Sequence, residues 1–152
     1  MHKSIRVIFD SNIWISFAIG KRLSELNIAF RHPKIKIFVC RKLITEVHKT
    51  TQKTKLSKYI LPERREMLLE LMESCHWVNI EEQITISRDP NDNFLLDLAA
   101  KINADFLITG DKDLLVLKNY LHTNIISFNS FISILDIINS SSPSHNNKSF
   151  LN

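Results

Sequence analysis

Four acidic residues stand where the chain is expected to pass from strand to helix, or on the face of a helix: Asp10, Glu46, Asp92 and Asp111. Asp10 follows the apolar run 5–9, and Asp111 follows the run 106–110. Both side chains should therefore lie at the carboxyl edge of a parallel sheet, where α/β proteins bind ligands. Because carboxylate oxygens are the ligands that Mg²⁺ and Mn²⁺ prefer, the pattern predicts a metal-binding cluster.

Such a cluster suits metal-assisted hydrolysis of a phosphate ester, in which water is the nucleophile. Each acid also has a purely structural interpretation. Asp10, Asp92 and Asp111 can be helix N-caps, since an aspartate there satisfies free N–H groups. Glu46 can be a solvated helical residue beside Lys42 and Lys49. The chemical interpretation depends on the joint placement of all four acids.

The elements that must position these acids alternate between strand and helix. The predicted strands cover 5–9, 35–39, 76–80, 105–108 and 124–127. The predicted helices cover 13–30 with a break at Gly20, 41–52, a segment starting at Pro62, a segment opened by Asp92, 111–114 and 129–138. This order predicts a three-layer α/β/α fold with a central parallel sheet, helices on both faces and right-handed crossovers.

Apolar spacing predicts which side chains of two helices are buried. In the helix from Pro62 they are Met67, Leu68, Leu71 and Met72, and in the helix after Asp92 they are Phe94, Leu95, Leu98, Ala99 and Ile102. Both tryptophans, Trp14 and Trp77, are expected to pack in the core. A base-stacking role is an alternative for Trp14 only.

Length and composition favour one globular domain, since the chain has 152 residues, of which 44% are hydrophobic and 24% charged. We expect this domain to span residues 1–139 and a disordered Ser- and Asn-rich tail to span 140–152. No apolar run approaches the length of a membrane span, so a cytoplasmic protein is expected. Cys40 and Cys75 have no zinc-ligand spacing and are expected to be reduced core thiols.

Positive charge is concentrated in one segment of the chain. The net charge is +4, but residues 31–65 hold 11 of the 20 Lys and Arg residues and 2 of the 16 Asp and Glu residues. This segment surrounds Glu46 instead of forming a tail. It favours a polyanionic partner, because cations that neutralise phosphates gain affinity by releasing counterions.

Four motifs together resemble the PIN-domain family, and the resemblance covers about residues 5–135. They are Ile8-Phe9-Asp10-Ser11-Asn12, Leu43-Ile44-Thr45-Glu46-Val47, Arg88-Asp89-Pro90-Asn91-Asp92-Asn93-Phe94-Leu95-Leu96-Asp97-Leu98-Ala99, and Leu107-Ile108-Thr109-Gly110-Asp111-Lys112-Asp113. The chain most resembles the branch of toxin components of prokaryotic toxin–antitoxin systems, the VapC-like ribonucleases. One position departs from the family pattern, since Arg41 stands where the helix bearing the glutamate often begins with a small hydroxyl residue.

The resemblance implies a Mg²⁺- or Mn²⁺-dependent ribonuclease that hydrolyses RNA phosphodiester bonds. It assigns the metal ligands to Asp10, Glu46, Asp92 and Asp111, with Asp113 as an additional acid and Asn12 and Thr109 as polar residues that hold the carboxylates. Arg41, Lys42, Lys49, Lys53 and Lys55 are the residues expected to contact RNA. It also implies a cognate antitoxin protein and a homodimer as partners.

Three other functions are compatible with some of these residues. A receiver-like signalling module also gathers aspartates at strand ends, but it would need a lysine that ends a late strand. A phosphatase with an aspartyl nucleophile would need a second Asp where Asn12 stands. A catalytically silent PIN domain that binds RNA or protein would need none of the acids, and this is the principal alternative.

Overall fold

The computed structural model of the chain describes residues 3–80 and 93–140. Within these ranges the strands are β1 (Ile5–Phe9), β2 (Ile35–Cys40), β3 (His76–Val78), β4 (Phe106–Ile108), β5 (Asn119–Tyr120) and β6 (Thr123–Ile126). The helices are α1 (Ser11–Ala18), α2 (Leu23–Arg31), α3 (Arg41–Thr51), α4 (Thr54–Ser57), α5 (Pro62–Glu73), α6 (Asn93–Ile102), α7 (Lys112–Leu115) and α8 (Phe128–Ser140).

The strands form one sheet in the order β3-β2-β1-β4-β6-β5. Neighbouring strands from β3 to β6 are parallel, and β5 pairs antiparallel with β6. The predicted α/β class with a central sheet flanked by helices is confirmed. The antiparallel edge strand β5 was not predicted, because a two-residue strand is too short to show a period-2 pattern in the sequence.

The central strand β1 is covered on both faces, since the consecutive side chains of Val7, Ile8 and Phe9 are all fully buried. A β-strand alternates its side chains between faces, so three buried neighbours require helices on both sides of the sheet. The ring of Phe9 lies within 5.4–6.1 Å of four other aromatic rings, those of Trp14, Phe17, Phe128 and Phe131. This aromatic cluster fixes α1 and α8 against the strand that ends at Asp10.

The predicted core of α6 is confirmed, because Phe94, Leu95, Leu98, Ala99 and Ile102 are all buried. The prediction for α5 is confirmed for Leu68 and Met72, whereas Met67 is 41% exposed. Cys40 and Cys75 are free and buried, as predicted.

The two tryptophans have opposite environments. Trp14 is fully buried in the aromatic cluster, so the alternative of base stacking at this position is wrong. Trp77 is 40% exposed, which contradicts its predicted core position. It lies on β3, an edge strand with a neighbour on one side only, so one flank of the ring has no strand to cover it.

The segment between α1 and α2 turns at Gly20, where the sequence predicts a helix break, and its φ of 100° is one that glycine adopts without strain. Ser140, which the sequence assigns to the tail, is the last residue of α8, and residues 141–152 lie outside the described ranges. Within the described chain, no helix has the length and apolar character needed to cross a membrane.

Candidate active site

The candidate site lies at the point where the order of the strands in the sheet reverses, between β1 and β4. From β1 the chain continues to β2 on one side, and β4 pairs with β1 on the other side. In open α/β sheets, ligands bind in the crevice outside the carboxyl ends of the strands at this switch point. Asp10 and Thr109 directly follow β1 and β4, and the Asp10 N–H donates to the Ile108 carbonyl at 2.9 Å.

Asp10 is buried, with 6% of its surface exposed. It is the N-cap of α1, and its Oδ1 accepts a hydrogen bond of 2.6 Å from the Ser11 N–H. Its Oδ2 accepts hydrogen bonds from the Thr109 hydroxyl at 2.7 Å and the Asn12 amide at 3.2 Å. The structural interpretation of Asp10 as a cap is therefore correct, and the cap geometry also fixes the carboxylate at the strand end.

Thr109 and Asn12 join the two turns that follow β1 and β4. The Thr109 hydroxyl, which donates to Asp10, also accepts the Asp111 N–H at 2.9 Å. The Asn12 side chain donates to Asp10, and its Oδ1 accepts the Gly110 N–H at 3.1 Å. Both residues contact Asp10 directly, and their role toward a metal stays a prediction.

Glu46 reaches the site through Ser11. The Ser11 hydroxyl lies 3.1 Å from Glu46 Oε2 and 3.4 Å from Asp10 Oδ1. A hydroxyl has one proton, so it donates to one of these oxygens at a time, and the shorter distance favours Glu46. In that arrangement Asp10 Oδ1 retains an unused lone pair that faces the same serine as Glu46.

Asp111 is the N-cap of α7, and its Oδ1 accepts the Asp113 N–H at 2.9 Å. Its side chain is half-buried, whereas that of Asp113 is exposed. Among the described residues, the Asp113 carboxylate makes no hydrogen bond or ion pair with another side chain. The structure thus brings Asp111 toward Asp10 and gives Asp113 no contact with the other acids.

The electrostatics of the site resemble those of a carboxylate cluster without a protein counter-charge. Burial raises the pKa of Asp10 above its ordinary value, hydrogen bonds from Thr109 and Ser11 oppose the rise, and the charge of Asp111 adds to it. Within residues 3–80 and 93–140, the ion pair found is Arg22–Glu25, and no Lys or Arg lies within 4.0 Å of the carboxylates of Asp10, Glu46 or Asp111.

The side chains of Asp10, Glu46 and Asp111 offer the kind of ligand atom that a hard divalent cation prefers. All are carboxylate oxygens, and each of the three acids keeps acceptor capacity that no described side chain uses. Asp92, the fourth predicted ligand, lies outside the described residues. Without it, no group of three Asp, Glu, His or Cys side chains among the described residues is close enough to hold an ion. The metal ligand set therefore stays a prediction.

The five residues predicted to contact RNA are all exposed. Arg41, Lys42 and Lys49 lie on α3 around Glu46, Lys53 is the N-cap of α4, and Lys55 is within that short helix. The Lys42 ammonium lies 5.0 Å from the centroid of the Phe94 ring at the start of α6. Lys42 is thus held at the side of α3 that faces the segment after Asp92.

Sequence reasoning missed Ser11 and the Gly110 N–H, which connect separate parts of the site. Ser11 occupies the first helical position after a cap, and its identity gives no sign of a partner 35 residues away. The Gly110 N–H is a backbone donor, which no side-chain pattern reports. Arg41 and Trp77 also form a contact that sequence did not reveal, with the guanidinium carbon 5.7 Å from the ring centroid.

Comparison with known families identifies a domain in this chain. A model described as PIN domain matches residues 6–113, well over half of the chain. The matched stretch contains β1 to β4 and α1 to α6, and with them Asp10, Glu46, Asp92 and Asp111. No curated protein matches the sequence.

Proposed function

Because the chain belongs to the PIN domain family, whose members are generally nucleases that use divalent metals, we propose that it is a metal-dependent endoribonuclease that hydrolyses RNA phosphodiester bonds. The observation that carries the proposal is the environment of Asp10. A buried carboxylate beside Asp111, with no described cation in ion-pair distance, carries a desolvation cost that a bound metal ion would offset.

We propose that Asp10, Glu46, Asp92 and Asp111 hold Mg²⁺ or Mn²⁺, with Asp113 as an additional acid. The bound ion would activate water and stabilise charge that develops on the phosphate. The Ser11 N–H and the Thr109 and Asn12 side chains fix the Asp10 carboxylate. Arg41, Lys42, Lys49, Lys53 and Lys55 would attract the RNA backbone, because each is an exposed cation close to the chain segment that bears Glu46.

The experiment is cleavage of a mixed RNA pool by the purified chain with Mn²⁺, with Mg²⁺ or with EDTA, beside the Asp10→Asn variant. We expect metal-dependent cleavage that the variant loses by more than about 100-fold, since even residues that support metal ligands contribute 10- to 100-fold. Asp105→Asn is the matched control, because Asp105 accepts a hydrogen bond from the Arg6 N–H at the opposite edge of the sheet. It should cut RNA like the wild type.

Equal cleavage by wild type and Asp10→Asn, or cleavage that persists in EDTA, would contradict the proposed site. Absence of cleavage by folded protein under every metal would favour the alternative, a catalytically silent PIN domain that binds RNA or protein.

We further propose that the chain is the cytoplasmic toxin of a toxin–antitoxin module, with a cognate antitoxin and a second copy of itself as partners. The support is the resemblance of its motifs to that branch of the family. Expression of the same two variants in bacteria tests this role. Growth arrest should require Asp10 and should persist in Asp105→Asn, whereas growth arrest by Asp10→Asn would contradict a toxin that acts through cleavage.

A further inference from the structure

The exposed tryptophan lies near the carboxyl ends of the parallel strands, as do the acids that follow those strands. Trp77 pairs with Val39 of β2 and is one residue from the carboxyl end of β3. Since β1, β2 and β3 are parallel, their carboxyl ends lie along one edge of the sheet, and the candidate active site lies at this edge. A large ring that is 40% exposed at such an edge is available to a ligand.

The orientation of the indole ring is fixed by the protein itself. Its Nε1–H donates to the Glu73 carbonyl at 2.9 Å, so the one polar atom of the ring is satisfied. The guanidinium carbon of Arg41 lies 5.7 Å from the ring centroid. The cation lies over the ring, and an oriented aromatic ring with a neighbouring guanidinium is a combination that binds the bases and phosphates of single-stranded nucleic acids.

Arg41 connects this pair to the helix that carries Glu46. It is the first residue of α3, and Glu46 follows five residues later, about 7.5 Å along the helix axis. Among the described residues, Arg41 makes no ion pair with an acid, and its side chain is exposed.

We propose that Trp77 and Arg41 form a stacking site for single-stranded RNA, in which a base stacks on the exposed indole ring and Arg41 contacts an adjacent phosphate. The substrate class rests on the proposed function. The charge of residues 31–65, which hold 11 Lys and Arg against 2 Asp and Glu, supports RNA over a neutral or basic partner.

The test is binding of a 5′-fluorescein single-stranded RNA 12-mer of mixed sequence, followed by anisotropy in EDTA so that metal-dependent cleavage does not occur. We expect Trp77→Leu to weaken binding by about 5-fold or more, the lower range for loss of one stacked base. Trp77→Phe keeps an aromatic face and should restore most of the affinity. Melting curves followed by circular dichroism establish that each variant is folded.

Trp14→Phe is the matched control. Trp14 is fully buried, and its Nε1 has no hydrogen-bond partner among the described atoms, so phenylalanine removes no hydrogen bond. This variant should bind RNA like the wild type. It also leaves Trp77 as the one tryptophan, whose fluorescence should be quenched when RNA is added.

Salt dependence separates stacking from charge. Arg41→Gln should reduce the slope of log affinity against log salt by about 0.7, the value for one phosphate contact on a single strand. Trp77→Leu should leave that slope unchanged, because a stacked base releases no counterion. A change of slope in Trp77→Leu would overturn the division of roles between the two residues.

Equal RNA affinity of Trp77→Leu and the wild type, or no RNA binding by the wild type, would overturn the inference. Cleavage of RNA by both proteins at equal rates would overturn it while leaving the proposed nuclease intact. RNA binding that requires Trp77, without cleavage under Mn²⁺ or Mg²⁺, would support the stacking site and contradict the proposed nuclease.

Discussion

The acids at the strand ends and the acid on α3 are held in different ways. Asp10 is 6% exposed and accepts hydrogen bonds from three different residues of two separate turns. Glu46 is half-buried on a helix whose neighbouring cations are exposed, and its described contact is the Ser11 hydroxyl. The strand ends thus fix the position of their acids, whereas α3 carries exposed charge around Glu46.

This difference has a consequence for mutation. When a mutation removes one partner of a buried hydrogen bond, water does not replace it and the other partner is left unsatisfied. Changes at the strand ends should therefore affect catalysis strongly. Changes on the exposed face of α3 alter a surface that water and salt already screen, so their effects should be smaller and should depend on ionic strength.

The largest effect among the following predictions should come from Thr109→Val. Its fully buried hydroxyl donates to Asp10 and accepts the Asp111 N–H, so valine removes both bonds at nearly constant volume. We expect kcat for RNA cleavage to fall about 10- to 100-fold, as for other residues that support metal ligands. Thr109→Ser should keep most of the activity.

Thr123→Val is the matched control for this prediction. Thr123 is also buried on a strand of the sheet, and its hydroxyl donates to the Ala104 carbonyl at 2.7 Å, away from the acids. It should lower the melting temperature without lowering kcat. If Thr109→Val retained full activity while it remained folded, the rigid positioning of Asp10 would not matter for catalysis.

The strand-end acids were the most predictable part of the site. Asp10 and Asp111 follow apolar runs, and parallel strands bring their carboxyl ends to one edge, so sequence order alone implied that they meet. The elements with a clear period were predictable for the same local reason, as the wholly buried apolar face of α6 shows.

Features that depend on tertiary placement could not be predicted in this way. The Ser11–Glu46 contact joins residues 35 positions apart, and β5 has two residues, too few for any period. Trp77 was assigned to the core by its residue type, but its exposure follows from the edge position of β3. The order of the strands in the sheet decides that position, and no local sequence pattern indicates the strand order.

The second prediction concerns stability without metal. Because burial raises the pKa of Asp10, ionisation of this carboxyl costs more free energy in the folded chain than in the unfolded chain. The contribution of Asp10 to stability is therefore greatest below its unfolded pKa, near 3.9, and is lost as pH rises through the folded pKa. Relative to Asp10→Asn, the wild type in EDTA should become less stable with rising pH.

Melting temperatures of both proteins between pH 4 and pH 8 measure this difference. Addition of Mn²⁺ at pH 8 should reverse it, because an ion at 100 times its Kd stabilises the folded wild type by about 2.7 kcal/mol. Glu46→Gln should change the melting temperature in EDTA less than Asp10→Asn, since a half-buried carboxylate keeps part of its hydration. A pH-independent difference between wild type and Asp10→Asn would contradict the role of burial at Asp10.

The smallest effect should come from the cations of α3, and two matched double variants isolate it. Lys42→Gln with Lys49→Gln removes two charges around Glu46, whereas Lys34→Gln with Lys36→Gln removes two from the amino end of β2, at the opposite edge of the sheet. Both pairs belong to the basic segment 31–65, so they change net charge equally.

In EDTA, the α3 pair should weaken binding of the single-stranded RNA severalfold and reduce the salt slope by about 1.4, or 0.7 per phosphate contact. The β2 pair should leave the slope unchanged. Equal slopes for the two double variants would mean that RNA responds to the net charge of the segment and that α3 has no defined phosphate contacts. The strand ends and α3 would then not differ in the way we propose, with position fixed by the first and RNA bound by the second.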